Sequence, residues 1–421
     1  MFSPGLEAGF QVCKNLFPES RFSGWIFWIR YCAEFGIFGI SALCKSEGIE
    51  EKEITMTIIH ISTKQSWRGG EQQIAYLISE LKKEGVDQIV MTPNNSKLSV
   101  FCKDAGIQVC GFSKYSGINI PAAIKLKKLC KSYEQPLIHA HDSHAHTTAF
   151  LSSILAGNKT PQIISRRVDF PVHKNLFSRK KYNSPHIKRI LCVSEKIKEV
   201  TSPSIRNTNV LKVVYSGIDL DRFKECHDKK ILRNLFKIPE ENTIIGNVAA
   251  LAPHKDYFTF VDTAAEILKK HPETTFLIIG QGSEKQKIAE YIFEKGLQNA
   301  LIFTGFRTDI PDILPELDIY LMTSETEGLG TSILDAYACE VPVVATRAGG
   351  IPEIVTHEKT GLLAEVKNPV QLANNVIRLI EDETLKNNLV KEAKKEILNF
   401  TRQQTARKTM EEYKQVISET Y

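Results

Sequence analysis

No two of the nine cysteines in this 421-residue chain stand as C-x-x-C, and their odd number is scattered from end to end. That spacing indicates neither a zinc site nor a disulfide framework, and reduced thiols in a cytoplasm are the simplest reading. No clean apolar run of about 20 residues occurs, which argues against a transmembrane helix. The most apolar stretch, residues 24–43, is interrupted by Arg30 and Glu34. A short basic start with a small-residue cleavage site, the mark of a signal peptide, is also missing. No residue declares itself a nucleophile. What is present is the composition of a globular protein, 42% apolar and 24% charged. The length calls for more than one domain, each with ample core.

The net charge of +5 hides an asymmetry. Residues 56–215 hold 24 Lys and Arg against 10 Asp and Glu, leaving the remainder net acidic. A basic half suits anionic lipid surfaces, phosphorylated acceptors or nucleic acid. A merely solvated surface accounts for it equally well. Residues 1–55 do not share the pattern of the rest of the chain. Met56 leads at once into the strand-like Thr-Ile-Ile-His-Ile-Ser, so 1–55 reads as an extension from a misassigned start or as an interfacial segment.

From residue 57 short apolar runs alternate with amphipathic segments. Strands are expected at 57–62, 88–92, 107–112, 137–141, 162–165 and 189–194. Between the first two, Ile74, Leu77, Ile78 and Leu81 form one helical stripe. A second series begins at about Val213, with strands at 243–249, 274–280, 301–304, 319–323, 341–346 and 361–364. Both halves read as doubly wound α/β domains, which bind ligands beyond the carboxyl ends of their strands.

Residues 324–344 carry the most chemistry: Ser-Glu-Thr-Glu-Gly-Leu-Gly-Thr-Ser-Ile-Leu-Asp-Ala-Tyr-Ala-Cys-Glu-Val-Pro-Val-Val. The apolar run Ile319 to Met322 precedes them as a buried strand. Glu327 and Asp335 lie eight positions apart, a little over two helical turns, so both are able to face one crevice. Gly328 and Gly330 admit close backbone approach, and the free N–H groups of a helix start suit an anion. Two acids flanking such a site match the hydroxyls on either side of a diphosphate, the grip a sugar nucleotide requires.

This stretch resembles the E-x7-E region of family 4 glycosyltransferases, retaining enzymes of the GT-B fold found in lipopolysaccharide, capsule and exopolysaccharide synthesis. It matches at Ser324, Glu327, Gly328, Gly330, Leu334, Ala336, Ala338, Pro342, Val343 and Val344, and departs at Asp335 (usually Glu) and Glu340 (usually Gly). The resemblance implies two Rossmann-like domains facing a cleft. The acceptor-side domain spans 56–212 and the nucleotide-sugar domain 213–400, and a terminal helix at 401–421 crosses back to the first. It also implies that Asp219 and Asp221, a D-x-D in the interdomain segment, are structural.

Residue by residue, the resemblance gives Glu327 the hydroxyls of the transferred sugar and Asp335 the ribose. Lys255 takes the family's Lys position against the leaving diphosphate. Ala250 stands where an Arg is expected, so Arg307, Arg166 or Arg167 would have to supply the second cation. Gly69 and Gly70 open a helix near the diphosphate. Gly305, Phe306, Arg307, Leu329 and Thr331 complete the donor side. His141, at the H-x-H end of a strand, faces the donor sugar, with His139 packed in the sheet. Arg166 and Arg167 lie on the acceptor side. The crowd His139, His141, Asp142, His144 and His146 invites a metal, but several alternate between the faces of a strand, and none is expected.

The sequence therefore points to a glycosyltransferase moving a sugar from a UDP-, GDP- or ADP-linked donor to a hydroxyl of a glycan or lipid-linked acceptor; retention, and the absence of a metal or other cofactor, are what the resemblance implies. No nucleic acid is expected as partner. The expected place is the cytoplasm, with the inner face of the membrane as an anionic surface for peripheral contact. A GT-B nucleotide-sugar 2-epimerase and a non-catalytic nucleotide-sugar-binding protein are the competing readings.

Overall fold

Most of the described strands are short and buried on both faces, the signature of a parallel sheet covered on both sides. In β1 (Thr57–Ile61) the residues Ile58, Ile59, His60 and Ile61 are all fully buried. The computed structural model describes residues 56–113, 118–173 and 175–421. The expectations for 1–55 lie outside the described residues.

The first sheet comprises β1, β2 (Asp87–Pro93), β3 (Gln108–Phe112), β4 (Pro136–Ala140), β5 (Gln162–Arg166), β6 (Ile187–Cys192) and β7 (Leu211–Val213), in the order β3-β2-β1-β4-β5-β6-β7. The second comprises β8 (Thr243–Val248), β9 (Thr274–Ile279), β10 (Leu301–Gly305), β11 (Ile319–Met322), β12 (Val343–Thr346) and β13 (Leu362–Ala364), in the order β10-β9-β8-β11-β12-β13. The paired strands run parallel, for example Ile59 beside Ile89 and Ile138, and Gly246 beside Leu277 and Tyr320. Strand order reverses between β1 and β4 in one sheet and between β8 and β11 in the other. Those are the two points where such sheets open a crevice at their carboxyl ends.

One boundary needs correction. Residues near Val213 do not start the second series. Leu211–Val213 pairs with β6, Ile190 beside Leu211, and closes the first sheet. The run is too short to stand out from a linker.

The terminal helix Arg402–Thr420 returns to the first sheet. Met410, Tyr413, Val416 and Ile417 bury against Ile58, Leu77, Leu137 and Ile163. Arg402 fixes its start by pairing with Asp219 at 2.6 Å and Asp221 at 3.2 Å, which gives that D-x-D its structural role. Arg189 holds the far end through Glu412 and Glu419, both at 2.6 Å.

Candidate active site

Lys255 and Glu327 are 72 positions apart, and the topology brings them together. Lys255 ends the loop after β8, and Glu327 lies in the loop after β11, its neighbour in the sheet. The Lys255 ammonium pairs directly with the Glu327 carboxylate, both side chains only 12–15% exposed. Backbone ties hold the two loops in register. Glu325 N–H donates to the His254 carbonyl at 2.9 Å, and the Thr323 hydroxyl donates to the Asp256 carbonyl at 2.9 Å. Asp256, in the left-handed region at φ 44°, caps the helix Tyr257–Leu268 through Thr259.

The helix Thr331–Ala338 begins where the motif places it. Gly330 is its N-cap at φ 90°, a conformation that other residues adopt only under strain. Leu329 is buried, and Thr331 opens the first turn, whose N–H groups have no partner within the helix. Asp335 lies one turn further on, half-buried. Burial pushes its pKa up to about 7, and the nearby Arg222 charge opposes that rise. Burial holds the Tyr320 phenol neutral, and the charges of Asp335 and Glu327 add to that effect.

Gly305 ends β10 at φ 78° and accepts the Gly280 N–H at 2.9 Å, beside the loop that carries Ala250. Phe306 is 57% exposed. Arg307 forks onto Asp309, with Nε to Oδ1 at 2.8 Å, so its charge is already matched.

On the first domain, Gly69 opens the helix Gly69–Lys83, and the space beside both Gly69 and Gly70 is empty. Gly70, His141, Arg166 and Arg167 contribute to a cavity of 620 Å³ at the carboxyl ends of β1, β4 and β5. His141 shares a 2.9 Å hydrogen bond with His60. His139 is packed in the sheet between Tyr413 and Ser165. Burial lowers all three histidines, His60 to about 3, so they are neutral at pH 7. Their ring nitrogens lie within 4.8 Å of one another. The His139 and His141 rings are tilted by 36° with centroids 3.9 Å apart, and the hydrogen bonds to His60, Tyr413 and Ser165 occupy part of their polar edge. The other members of the crowd are elsewhere. Asp142 caps the helix Ser143–Ala156, and His146 is packed edge-on against Tyr182.

Arg166 requires a correction. It touches the cavity wall, but its guanidinium is turned inward, donating to Thr201 at 3.1 Å, to Tyr182 at 2.9 Å and to the Phe170 carbonyl. An anionic acceptor does not meet that charge. Arg167 donates to the His141 carbonyl at 3.1 Å, and burial lowers its pKa to about 10 despite the carboxylates of Glu71 and Asp142.

Three contacts between the domains have no counterpart in the motif pattern. Asp169 accepts the N–H of Glu327 at 3.2 Å. The Ser194 hydroxyl donates to the Gly328 carbonyl at 2.7 Å. Glu353, in the Gly349-Gly350-Ile-Pro-Glu segment, accepts the N–H groups of Glu195 and Lys196 at 2.8 and 2.9 Å. It thereby covers the start of the helix Glu195–Thr201. A Cβ on Gly349 would lie 1.9 Å from the Glu327 carbonyl oxygen, so the glycine is what lets these segments meet. Only the N-cap pattern Ser-Glu-Lys-Ile at 194–197 is legible in the sequence, and not its cross-domain use.

Two parallel-sheet domains, with Lys255 paired to Glu327 at the switch point of the second, form the GT-B architecture. Residues 67–222 match the family described as Glycosyltransferase Family 4, and residues 228–396 match Glycosyl transferases group 1. Together these matches span most of the chain, which belongs to the family 4 glycosyltransferases and uses a nucleotide-sugar donor. Among its relatives is the N-acetyl-alpha-D-glucosaminyl L-malate synthase of Bacillus anthracis, 24% identical over 68% of this chain and 75% of the relative. Another is the UDP-Gal:alpha-D-GlcNAc-diphosphoundecaprenol alpha-1,3-galactosyltransferase of Escherichia coli, 22% identical over 80% of this chain and 94% of the relative. The fold is similar to that of Anabaena Alr3699/HepE, solved in complex with UDP and glucose, with TM-score 0.74, 21% identity, and 86% and 100% of the two chains covered.

Proposed function

We propose that this enzyme transfers a sugar from a nucleotide-sugar donor to a hydroxyl of a glycan or lipid-linked acceptor with retention of configuration, in the synthesis of a cell-surface polysaccharide or lipopolysaccharide. The contact between Lys255 and Glu327 carries this reading. A cation for the departing diphosphate and an acid for the sugar hydroxyls stand side by side at the switch point. The C1–O bond to the diphosphate breaks as the acceptor oxygen bonds C1, and the acceptor proton passes to a diphosphate oxygen. Charge building on that diphosphate is stabilised by Lys255 and by the N–H groups at Gly330–Thr331, fixed before reaction begins. Glu327 holds sugar hydroxyls and Asp335 the ribose. His141 borders the sugar from the first domain, and Gly69 and Gly70 leave room beside the diphosphate.

The UDP bound by the Anabaena structure favours a UDP-linked donor, and the diphosphoundecaprenol of the Escherichia coli relative favours a lipid-linked acceptor. Among the described residues no helix is long and apolar enough to cross a membrane. We place the enzyme in the cytoplasm with peripheral access to the inner membrane face. UDP-, GDP- and ADP-sugars offered to the purified chain test the reading through release of the nucleotide diphosphate. One donor is expected to be consumed, with activity lost in Lys255→Ala and in Glu327→Gln and kept in EDTA. Full activity in either variant would remove the proposed site. Loss in EDTA would remove the metal-independent part.

A further inference from the structure

A second cavity, larger than the one beside His141, lies next to it. A groove of 1120 Å³ runs along the outside of the first domain, between the end of the helix Ser143–Ala156, residues 171–172, the segment 176–186 and the segment 199–206. Its walls are aliphatic and aromatic, from Phe150, Ile154, Val172, Leu176, Val200 and Ile205. Ile154 is 56% exposed and Leu176 74%, a cluster of bare apolar surface where a monomer ordinarily scatters such residues singly. Its rim is cationic, with Arg179, Lys180 and Arg206 facing the single acid Glu199.

The groove adjoins the active-site cavity. Both touch Pro171 and Val172, and the short helix Leu176–Tyr182 is the partition between them. Leu176, Arg179 and Lys180, at i, i+3 and i+4, line the groove. Ser178, Lys181 and Tyr182 line the 620 Å³ cavity beside His141. A molecule reaching over this partition places an apolar part in one and a polar part in the other.

We propose that the groove binds the hydrocarbon chain of a phosphorylated lipid, with the cationic rim on its phosphate and the rest of its head in the active-site cavity. The charge complementarity of rim and phosphate selects this occupant over an uncharged chain. The inference rests on the lipid-linked acceptor proposed above and names where that lipid lies. A methylene-rich chain gains by burial roughly in proportion to its length, so even a short isoprenyl chain reports on the site.

The test is binding of monomeric farnesyl phosphate to the full chain, measured by calorimetry, with farnesol, inorganic phosphate and phosphatidylglycerol vesicles as separate arms. Farnesyl phosphate is expected to bind at least about tenfold more tightly than farnesol or phosphate. Ile154→Asp and Leu176→Asp are each expected to weaken it about tenfold or more, and Arg179→Ala several-fold, with thermal midpoints unchanged. Leu398→Asp, at a 60% exposed position in the second half of the chain, controls for adding charge to an apolar surface residue and leaves binding intact. Farnesyl phosphate binding that ignores the groove substitutions overturns the proposal. So does vesicle binding without binding of the monomer, which would make the patch a membrane contact only. Nucleotide release from a donor with no farnesyl phosphate bound sinks this inference and leaves the transferase reading standing. Farnesyl phosphate binding without turnover of any donor does the reverse.

Discussion

Glu340 stands at φ 58°, directly after the helix that carries Asp335, where the family pattern has glycine. A residue with a Cβ is held in the left-handed region at a cost of about 1 kcal/mol or more. The exposed Glu340 carboxylate pairs with Lys394, a contact that returns only a few tenths. Glu340→Gly is therefore expected to raise the urea midpoint by the equivalent of about 1 kcal/mol, whereas Glu340→Ala, which loses the pair and keeps the strain, does not. A less stable glycine variant would refute the strain. Asp335 offers a second test. Its carboxyl binds a proton more tightly folded than unfolded, since its pKa rises from 3.8 to about 7. The fold therefore loses stability as pH climbs from 3.8 towards 7, and carries the full cost above that. Asp335→Asn should raise the melting temperature at pH 8 by several degrees and at pH 4 by little, while weakening nucleotide binding. Equal gains at both pH values would place the carboxyl in water.

At the scale of elements, the strands were legible because each is a buried parallel run bounded by turn residues, and the switch points follow from strand order. The loops that meet across the domains were not. Nothing in the local pattern of Arg166-Arg167-Val-Asp169 tells that Arg166 turns inward while Asp169 reaches Glu327, because hydrogen bonds over such sequence separations depend on how two finished sheets face each other. For the same reason the use of Glu353 as a cover for the helix Glu195–Thr201 is invisible in the sequence. These contacts have a functional consequence. The Glu327 carboxylate is aimed by a backbone whose N–H is held by Asp169 at 3.2 Å. Misplacement by about an ångström is enough to lower turnover as much as about a hundredfold. Asp169→Ala is expected to lower kcat by about tenfold to a hundredfold with little change in thermal midpoint. Unchanged kcat would mean that the Glu327 loop needs no support from the first domain.

The two described domains are fastened by the nineteen-residue helix Arg402–Thr420, which comes after the second domain in sequence and packs on the first in space. Tyr413 is the centre of that joint. It is fully buried among Ile58, Leu137 and Val214, and its hydroxyl meets His139 inside the first sheet. Its removal takes away a large aromatic side chain and leaves a buried imidazole short of a partner. Replacing such a residue by alanine costs about 3–5 kcal/mol, and one unpaired buried polar group costs about 1–3 kcal/mol. Tyr413→Phe isolates the second term and Tyr413→Ala combines both. Because the helix belongs to one domain by chain and to the other by packing, the loss falls on their coupling. In calorimetry the parent is expected to melt in one transition. Tyr413→Ala should give two, with the first sheet, stripped of its cover, melting earlier. A single transition at the parent temperature would show that the ion pairs of Arg402 and Arg189 hold the helix without its apolar face.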